Sequence, residues 1–173
     1  MDHADHVRLL QGGVTRGGVW ADLGAGTGAF TLALAELVGA DGKVIAVDRD
    51  RGALRELERA VRPGGAAVAT QVADFTKDLA LPALDGLVMA NSLHFVRSKP
   101  PVLARVRELL KASGRLLLVE YDADKGNHWV PYPLSFETWR ELAEDSGFTG
   151  TRRLASVPSR FLRAIYSAQS LRA

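Results

Sequence analysis

The chain contains no cysteine, which excludes disulfide staples and thiolate metal ligation and fits a reducing compartment. No apolar run approaches the roughly 18 residues of a membrane-spanning helix, so no membrane association is expected. A secretory leader is missing as well: Met1-Asp2-His3-Ala4-Asp5-His6 is polar and acidic where a basic and then apolar segment would stand. A cytoplasmic location is the expectation. Charge of one sign is also scarce, since 22 Lys and Arg against 20 Asp and Glu leave a net +2, although the sequence pI is near 9.1. So small an excess creates no strong field, and nucleic acid is not an expected partner. Arg152, Arg153, Arg160, Arg163 and Arg172 cluster near the end without an accompanying series of stacking aromatics, which predicts a solvated sheet edge. No metal site is expected.

What is present suits one domain over residues 1–173, with 47% apolar and 24% charged residues. The most informative stretch is Val19-Trp20-Ala21-Asp22-Leu23-Gly24-Ala25-Gly26-Thr27-Gly28-Ala29-Phe30, an apolar strand that ends in three alternate glycines and then turns helical. Gly24, Gly26 and Gly28 permit positive φ and let a ligand approach the backbone, while the amides of the following helix point at it. Twenty positions after Gly28, Asp48 closes the next apolar run, Val44-Ile45-Ala46-Val47. A carboxylate so placed can accept both hydroxyls of a ribose, and the pair points to an adenosine-containing ligand. The glycine spacing narrows the choice. G-x-G-x-G with Asp22 two residues ahead differs from the dinucleotide fingerprint G-x-G-x-x-G, and a negative charge there suits a cationic or zwitterionic amino-acid moiety better than a pyrophosphate.

This block resembles the first motif of the class I S-adenosylmethionine-dependent methyltransferases, of the small, single-domain type acting on small molecules. The resemblance extends along the chain. Asp48 in VIAVDRD matches the acidic residue that binds the ribose hydroxyls, with Arg49 at the position flanking adenine. Asp74-Phe75 in QVADF matches the third-strand acidic position that reads the adenine amino group. Asn91 in LDGLVMANSLHFV falls where members of the family place groups near the methionine moiety. The resemblance therefore implies S-adenosyl-L-methionine as cofactor, held by Asp22, Gly24, Ala25, Gly26, Gly28, Asp48, Arg49, Asp74, Phe75 and Asn91. Plainer structural roles stand beside these: a tight turn for the glycines, a helix cap for Asp48, a solvated turn for Asp74 and a turn hydrogen bond for Asn91. Asp50 caps the following helix equally well, which frees Asp48.

Strands and helices alternate as a parallel sheet requires. Strands are expected at 19–23, 43–47, 67–73, 86–90 and 115–121, and helices at 4–11, 27–38, 50–61, 99–111 and 135–145. The crossover at 76–83 leaves room for a turn or two of helix at most. Two last strands, near 150–156 and 160–170, would form a closing hairpin. The fold class is α/β, a doubly wound, mostly parallel seven-stranded Rossmann-like sheet with helices on both faces, and the resemblance implies strand order 3-2-1-4-5-7-6 with the last strand antiparallel.

Methyl transfer asks mainly for orientation and a dry pocket, and a general base is optional. If the acceptor carries a proton, His94 after the fourth strand is the candidate catalytic base, with packing beneath the loop as its alternative role; Tyr121 and His128 are weaker candidates. His3 and His6 would cover the site if the N-terminal helix folded across it. The loop after the fifth strand concentrates His128, Trp129 and Tyr132 between prolines and a glycine, which predicts either an acceptor pocket wall or a loop that holds itself down with its aromatics. The N-P-P-aromatic motif of amino-group methyltransferases is absent after the fourth strand, so the expected partner is a small-molecule methyl acceptor. Its site would be built from this chain alone or shared within a homodimer. Two other readings remain open: a nicotinamide-dependent oxidoreductase, against which stand the glycine spacing and the lack of Tyr-x-x-x-Lys, and a non-catalytic S-adenosylmethionine-binding module.

Overall fold

Strands that are apolar at nearly every position need helices above and below them, and this requirement decides the architecture. In the computed structural model, which describes residues 1–173, three such strands are β1 (Gly18–Leu23), β2 (Gly42–Asp48) and β4 (Leu84–Ala90). They occupy the middle of a seven-stranded sheet of order β3-β2-β1-β4-β5-β7-β6, completed by β3 (Ala67–Val72), β5 (Leu110–Tyr121), β6 (Phe148–Pro158) and β7 (Ala164–Arg172). β7 runs antiparallel to β5 and β6, and the other pairs are parallel. This is the topology expected from the sequence.

The two-residue alternation of β1 sorts the core into two layers. Ala21 and Leu23 join Leu87, Leu118 and Trp139 on the side of α4 (Pro100–Leu109) and α5 (Phe136–Asp145). Trp20 packs on the opposite side with Val44 and Val88, Leu34 of α2 (Ala29–Val38), and Leu9 and Leu10 of α1 (His3–Leu10). On that side Leu54 and Leu57 of α3 (Arg51–Ala60) also cover Ala46. Trp20 lies directly over its partner Gly86, where any Cβ would overlap the indole. Helix starts follow the sequence signals. Asp50 accepts the amides of Gly52 and Ala53 at 2.8 and 3.1 Å, and prolines open α4.

The structure departs from the sequence reading in four places. No helix forms between β3 and β4, because Asp74 accepts the Thr76 amide and hydroxyl and closes a local turn instead. β5 begins at Leu110, which pairs with Leu84; the register then breaks and resumes at Gly86 and Arg115, with Ser113 at φ 59° in between. β7 begins at Ala164, since Arg163 adopts φ 35° in the turn that precedes it. Finally, the basic residues near the end are more than a solvated edge. Arg153 pairs with Asp122 at 2.9 Å and lies over the Phe136 ring, Arg152 donates to Gly12 O at 3.1 Å, and Arg172 donates to Leu110 O. These three fasten the β6–β7 hairpin to its surroundings.

Candidate functional site

Because β1, β2 and β4 run parallel, their carboxyl ends meet along one edge of the sheet, where ligands of open α/β sheets bind. The glycine turn is fixed there by the amides of Gly24 and Ala25, which donate to Val47 O at 2.8 and 3.1 Å. Its glycines do different work. Gly24 (φ 82°) lies so close to Ser92 that an added Cβ would stand 2.5 Å from the Ser92 Cβ. Gly26 (φ 53°) faces open space, with nothing within 4 Å of a Cβ. Gly28 (φ 91°) is the N-cap of α2, and a Cβ there would overlap Leu57 of α3.

A cavity of about 600 Å³ opens at this edge. Gly24, Gly26, Asp48, Arg49, Asp74, Phe75 and Asn91 line it, together with Ala73, Thr76, Ser92, Phe95 and Val96. Asp22, Ala25 and Gly28 do not. Asp22 shares the Trp20 side of β1 and is buried beneath the turn, where its Oδ2 accepts the Thr31 hydroxyl at 2.7 Å while Oδ1 has no partner. Burial pushes its pKa up to about 6, with the charge of Asp48 adding to the rise and the Thr31 bond opposing it. Its charge would act on a ligand through the loop rather than by direct contact.

The two other carboxylates are only partly occupied by the protein. Asp48 accepts the Gly26 amide on Oδ2 and the Asp50 amide on Oδ1, both at 2.8 Å, which leaves one acceptor site on each oxygen. Asp74 places both Thr76 bonds, 2.7 and 2.9 Å, on Oδ1. Its Oδ2 is free. The Thr76 hydroxyl and then its amide hold this carboxyl below its ordinary pKa, so it faces the cavity ionised near neutral pH. At the other end Asn91 adopts φ 51°, and its Oδ1 is enclosed without a donor. Asn91 lines the cavity, but this oxygen is closed off from it, so a ligand would reach Oδ1 only after the amide turned.

The candidate base is buried. His94 sits in the 3₁₀ turn Leu93–Phe95, 2% exposed, with Nδ1 2.9 and 3.1 Å from the two carboxylate oxygens of Glu120. It lies outside the cavity lining but next to Phe95, which belongs to it. Glu120 was not anticipated from the sequence, although a carboxylate two residues after Leu116-Leu117-Leu118 interrupts an apolar face and is a readable signal. The loop after β5 is joined to this turn: the Tyr132 amide donates to His94 O at 3.0 Å, and Lys99 Nζ donates to Val96 O and Tyr132 O, both at 2.9 Å. Burial lowers the pKa of this lysine, and the Glu120 charge opposes that shift. Val130 and Leu134 bury themselves to hold the loop, while Trp129 remains 70% exposed. The aromatics of the loop are thus not what pins it. α1 stays clear of the cavity: His6 packs on Phe30, His3 pairs with Glu36 at 2.8 Å, and neither lines it.

A second groove, about 640 Å³, lies between the β5 loop and the β6–β7 turn. Its acids already have partners, Asp122 in the Phe136 amide and Arg153, Asp124 in the Ser135 amide.

Residues 21–114 match the family model described as a methyltransferase domain. The chain is 35% identical to the demethylmenaquinone methyltransferase of Symbiobacterium thermophilum over 103 residues, 57% of this chain and 41% of that protein. It is 31% identical to a ubiquinone/menaquinone biosynthesis C-methyltransferase of a Marinomonas species over 116 residues, 65% of this chain and 46% of the other. The chain spans less than half the length of these curated relatives. Its fold is shared with the Burkholderia thailandensis 1,6-didemethyltoxoflavin-N1-methyltransferase, solved with its substrate and S-adenosylhomocysteine. The TM-score is 0.78 at 20% identity, covering 99% of this chain and 78% of the other. With more than half of its length matched by the family model, and with the glycine turn, Asp48 and Asp74 inside the matched region, the chain belongs to the methyltransferase-domain family.

Proposed function

We propose that the protein transfers a methyl group from S-adenosyl-L-methionine to a small-molecule acceptor. One observation carries this reading: a single cavity gathers two part-satisfied carboxylates, an open glycine turn and an orphaned amide oxygen, the set of acceptors that an amino-acid nucleoside would fill. Asp48 would accept the ribose hydroxyls on the acceptor sites its two amide bonds leave. Asp74 Oδ2 would take the adenine amino group, with Phe75 and Arg49 flanking the ring. Asn91, with its amide turned toward the cavity, would offer Oδ1 to the ammonium of the methionine moiety, and the buried negative charge of Asp22 beneath the turn would favour that cationic end. Gly26, with no side chain and open space before it, lets the ligand lie against the backbone.

When bound, the cofactor supplies an activated methyl: the acceptor's electron pair bonds to the methyl carbon while the carbon–sulfur bond breaks and its electrons stay on sulfur. The chain's own residues bind, orient and exclude water, which is the main catalytic demand of this reaction. The small-molecule methyltransferases among its relatives support a small acceptor. The acceptor would lie beside Phe95 on the cavity wall, near the β5 loop that the Tyr132 amide ties to His94 O.

Isothermal titration with S-adenosylmethionine, S-adenosylhomocysteine and NADH in one buffer tests the cofactor. Micromolar affinity for the two sulfur nucleosides, roughly −8 kcal/mol, with no heat from NADH is the expected result. Binding of NADH alone would point to an oxidoreductase. Tight nucleoside binding with no transfer to any acceptor in a broad panel would leave a non-catalytic module.

A further inference from the structure

Glu120 is fully buried on the face of β5 that otherwise carries Leu116 and Leu118. An ionised carboxylate in such a place is costly unless it is held by donors, and an apolar pair would fill the same volume without that cost. Here the donors are the Tyr121 amide, 2.7 Å from Oε1, and His94 Nδ1. A carboxylate only accepts, so Nδ1 carries a proton, and a neutral imidazole held in this way presents its lone pair on Nε2. Nε2 has no partner in the protein, yet it is not one of the five enclosed polar atoms left without one. It therefore keeps a small opening, although the residue as a whole is 2% exposed. Its neighbour Phe95, whose ring is 4.3 Å from that of His94, belongs to the cavity wall, and the β5 loop is tied to the same turn by the Tyr132 amide.

We propose that Glu120 is a positioning residue which fixes the Nδ1–H tautomer of His94, so that Nε2 removes the proton from an acceptor whose nucleophilic oxygen or nitrogen carries one. This rests on the methyl-transfer reading above. The acceptor's O–H or N–H proton would pass to Nε2, the freed pair would bond to the methyl carbon as the methyl–sulfur bond breaks with its electrons staying on sulfur, and the imidazolium would afterwards return its proton to water. In this role the Glu120 carboxylate accepts from Nδ1 throughout and balances the imidazolium charge.

The test reads the imidazole itself. Protein labelled with ¹⁵N-histidine and saturated with S-adenosylhomocysteine is examined at pH 8 by long-range ¹H–¹⁵N correlation, with His94→Gln assigning the resonance. Wild type should show His94 protonated on Nδ1 and bare on Nε2. Glu120→Gln, whose amide both donates and accepts, should release that preference and populate the Nε2–H form. Diethyl pyrocarbonate supplies the second readout: a bare, reachable Nε2 takes the ethoxycarbonyl group with release of ethanol and carbon dioxide, and peptide mass spectrometry should find His94 modified. With an acceptor in hand, Glu120→Gln should lower kcat on the order of 100-fold while KM for the cofactor holds. An Nε2–H or doubly protonated His94 in wild type, or an unreactive His94 beside a modified His3, overturns the proposal. If Glu120→Gln loses its cooperative melt, Glu120→Asp is read in its place. Titration of the same samples with S-adenosylhomocysteine separates the two failures, because loss of binding in wild type defeats the cofactor reading while the tautomer remains independently measured.

Discussion

Replacing Asp22 by asparagine should stabilise the protein, by an amount that grows with pH. Asp22 is fully buried, one of its oxygens has no donor, and burial raises its pKa to about 6 from 3.8. The folded state thus binds this proton more tightly than the unfolded chain. Between about pH 4 and pH 6 the native state carries the extra proton, so rising pH lowers stability through that window and leaves a constant penalty above it. Full ionisation costs about 3 kcal/mol for a shift of this size, of which roughly half accrues between pH 5 and pH 7.5. Asparagine escapes the penalty but weakens the bond to the Thr31 hydroxyl, a loss of about 1 kcal/mol at all pH values. Urea denaturation followed by tryptophan fluorescence, wild type against Asp22→Asn at several pH values, isolates this group together with its coupling to Asp48, because the groups that do not interact with it cancel in the difference. The difference should move in favour of the variant by about 1 kcal/mol from pH 5 to pH 7.5. A difference that is flat in pH would refute the burial argument, and one that moves against the variant would reverse it.

Other consequences follow from the cavity wall. Asp74→Ala should weaken S-adenosylhomocysteine binding by about 1–3 kcal/mol in titration calorimetry, the loss of a charged hydrogen bond, and unchanged affinity would remove Asp74 from the adenine site. Gly24→Ala meets both a positive φ and the Ser92 side chain, so thermal melting should report a loss of roughly 2–5 kcal/mol. Gly26→Ala, strained in φ but unobstructed, should lose only about 1–2 kcal/mol and damage ligand binding more than the fold.

Periodicity and turn chemistry carried most of the fold into the sequence. The doubly buried strands β1, β2 and β4 read as continuous apolar runs, and Asp50 and the prolines of α4 marked helix starts through local bonds. What was lost depended on contacts distant in sequence. The β3–β4 crossover allowed a short helix by composition, and one aspartate side chain turned it into a bend. The early start of β5 depends on pairing with Leu84, which no local signal announces. At the site, Asp48, Asp74 and Asn91 were legible through the family motifs they match, and each stands at or just past the carboxyl end of its strand, so all three reach the same edge. Asp22 was legible as a residue but not in its place: strand alternation sends it under the turn to Thr31, outside the cavity lining. The partner of His94 was hidden for the same reason as the β5 start, since Glu120 is 26 positions away and meets it only through the sheet.

The most direct test of the account is the crystal structure of the protein with S-adenosylhomocysteine. Adenine beside Asp74 and Phe75, the ribose hydroxyls on Asp48 and the ammonium at Asn91 Oδ1 is the predicted result. A ligand seated elsewhere, or bound in the cavity with its ribose away from Asp48, would contradict it.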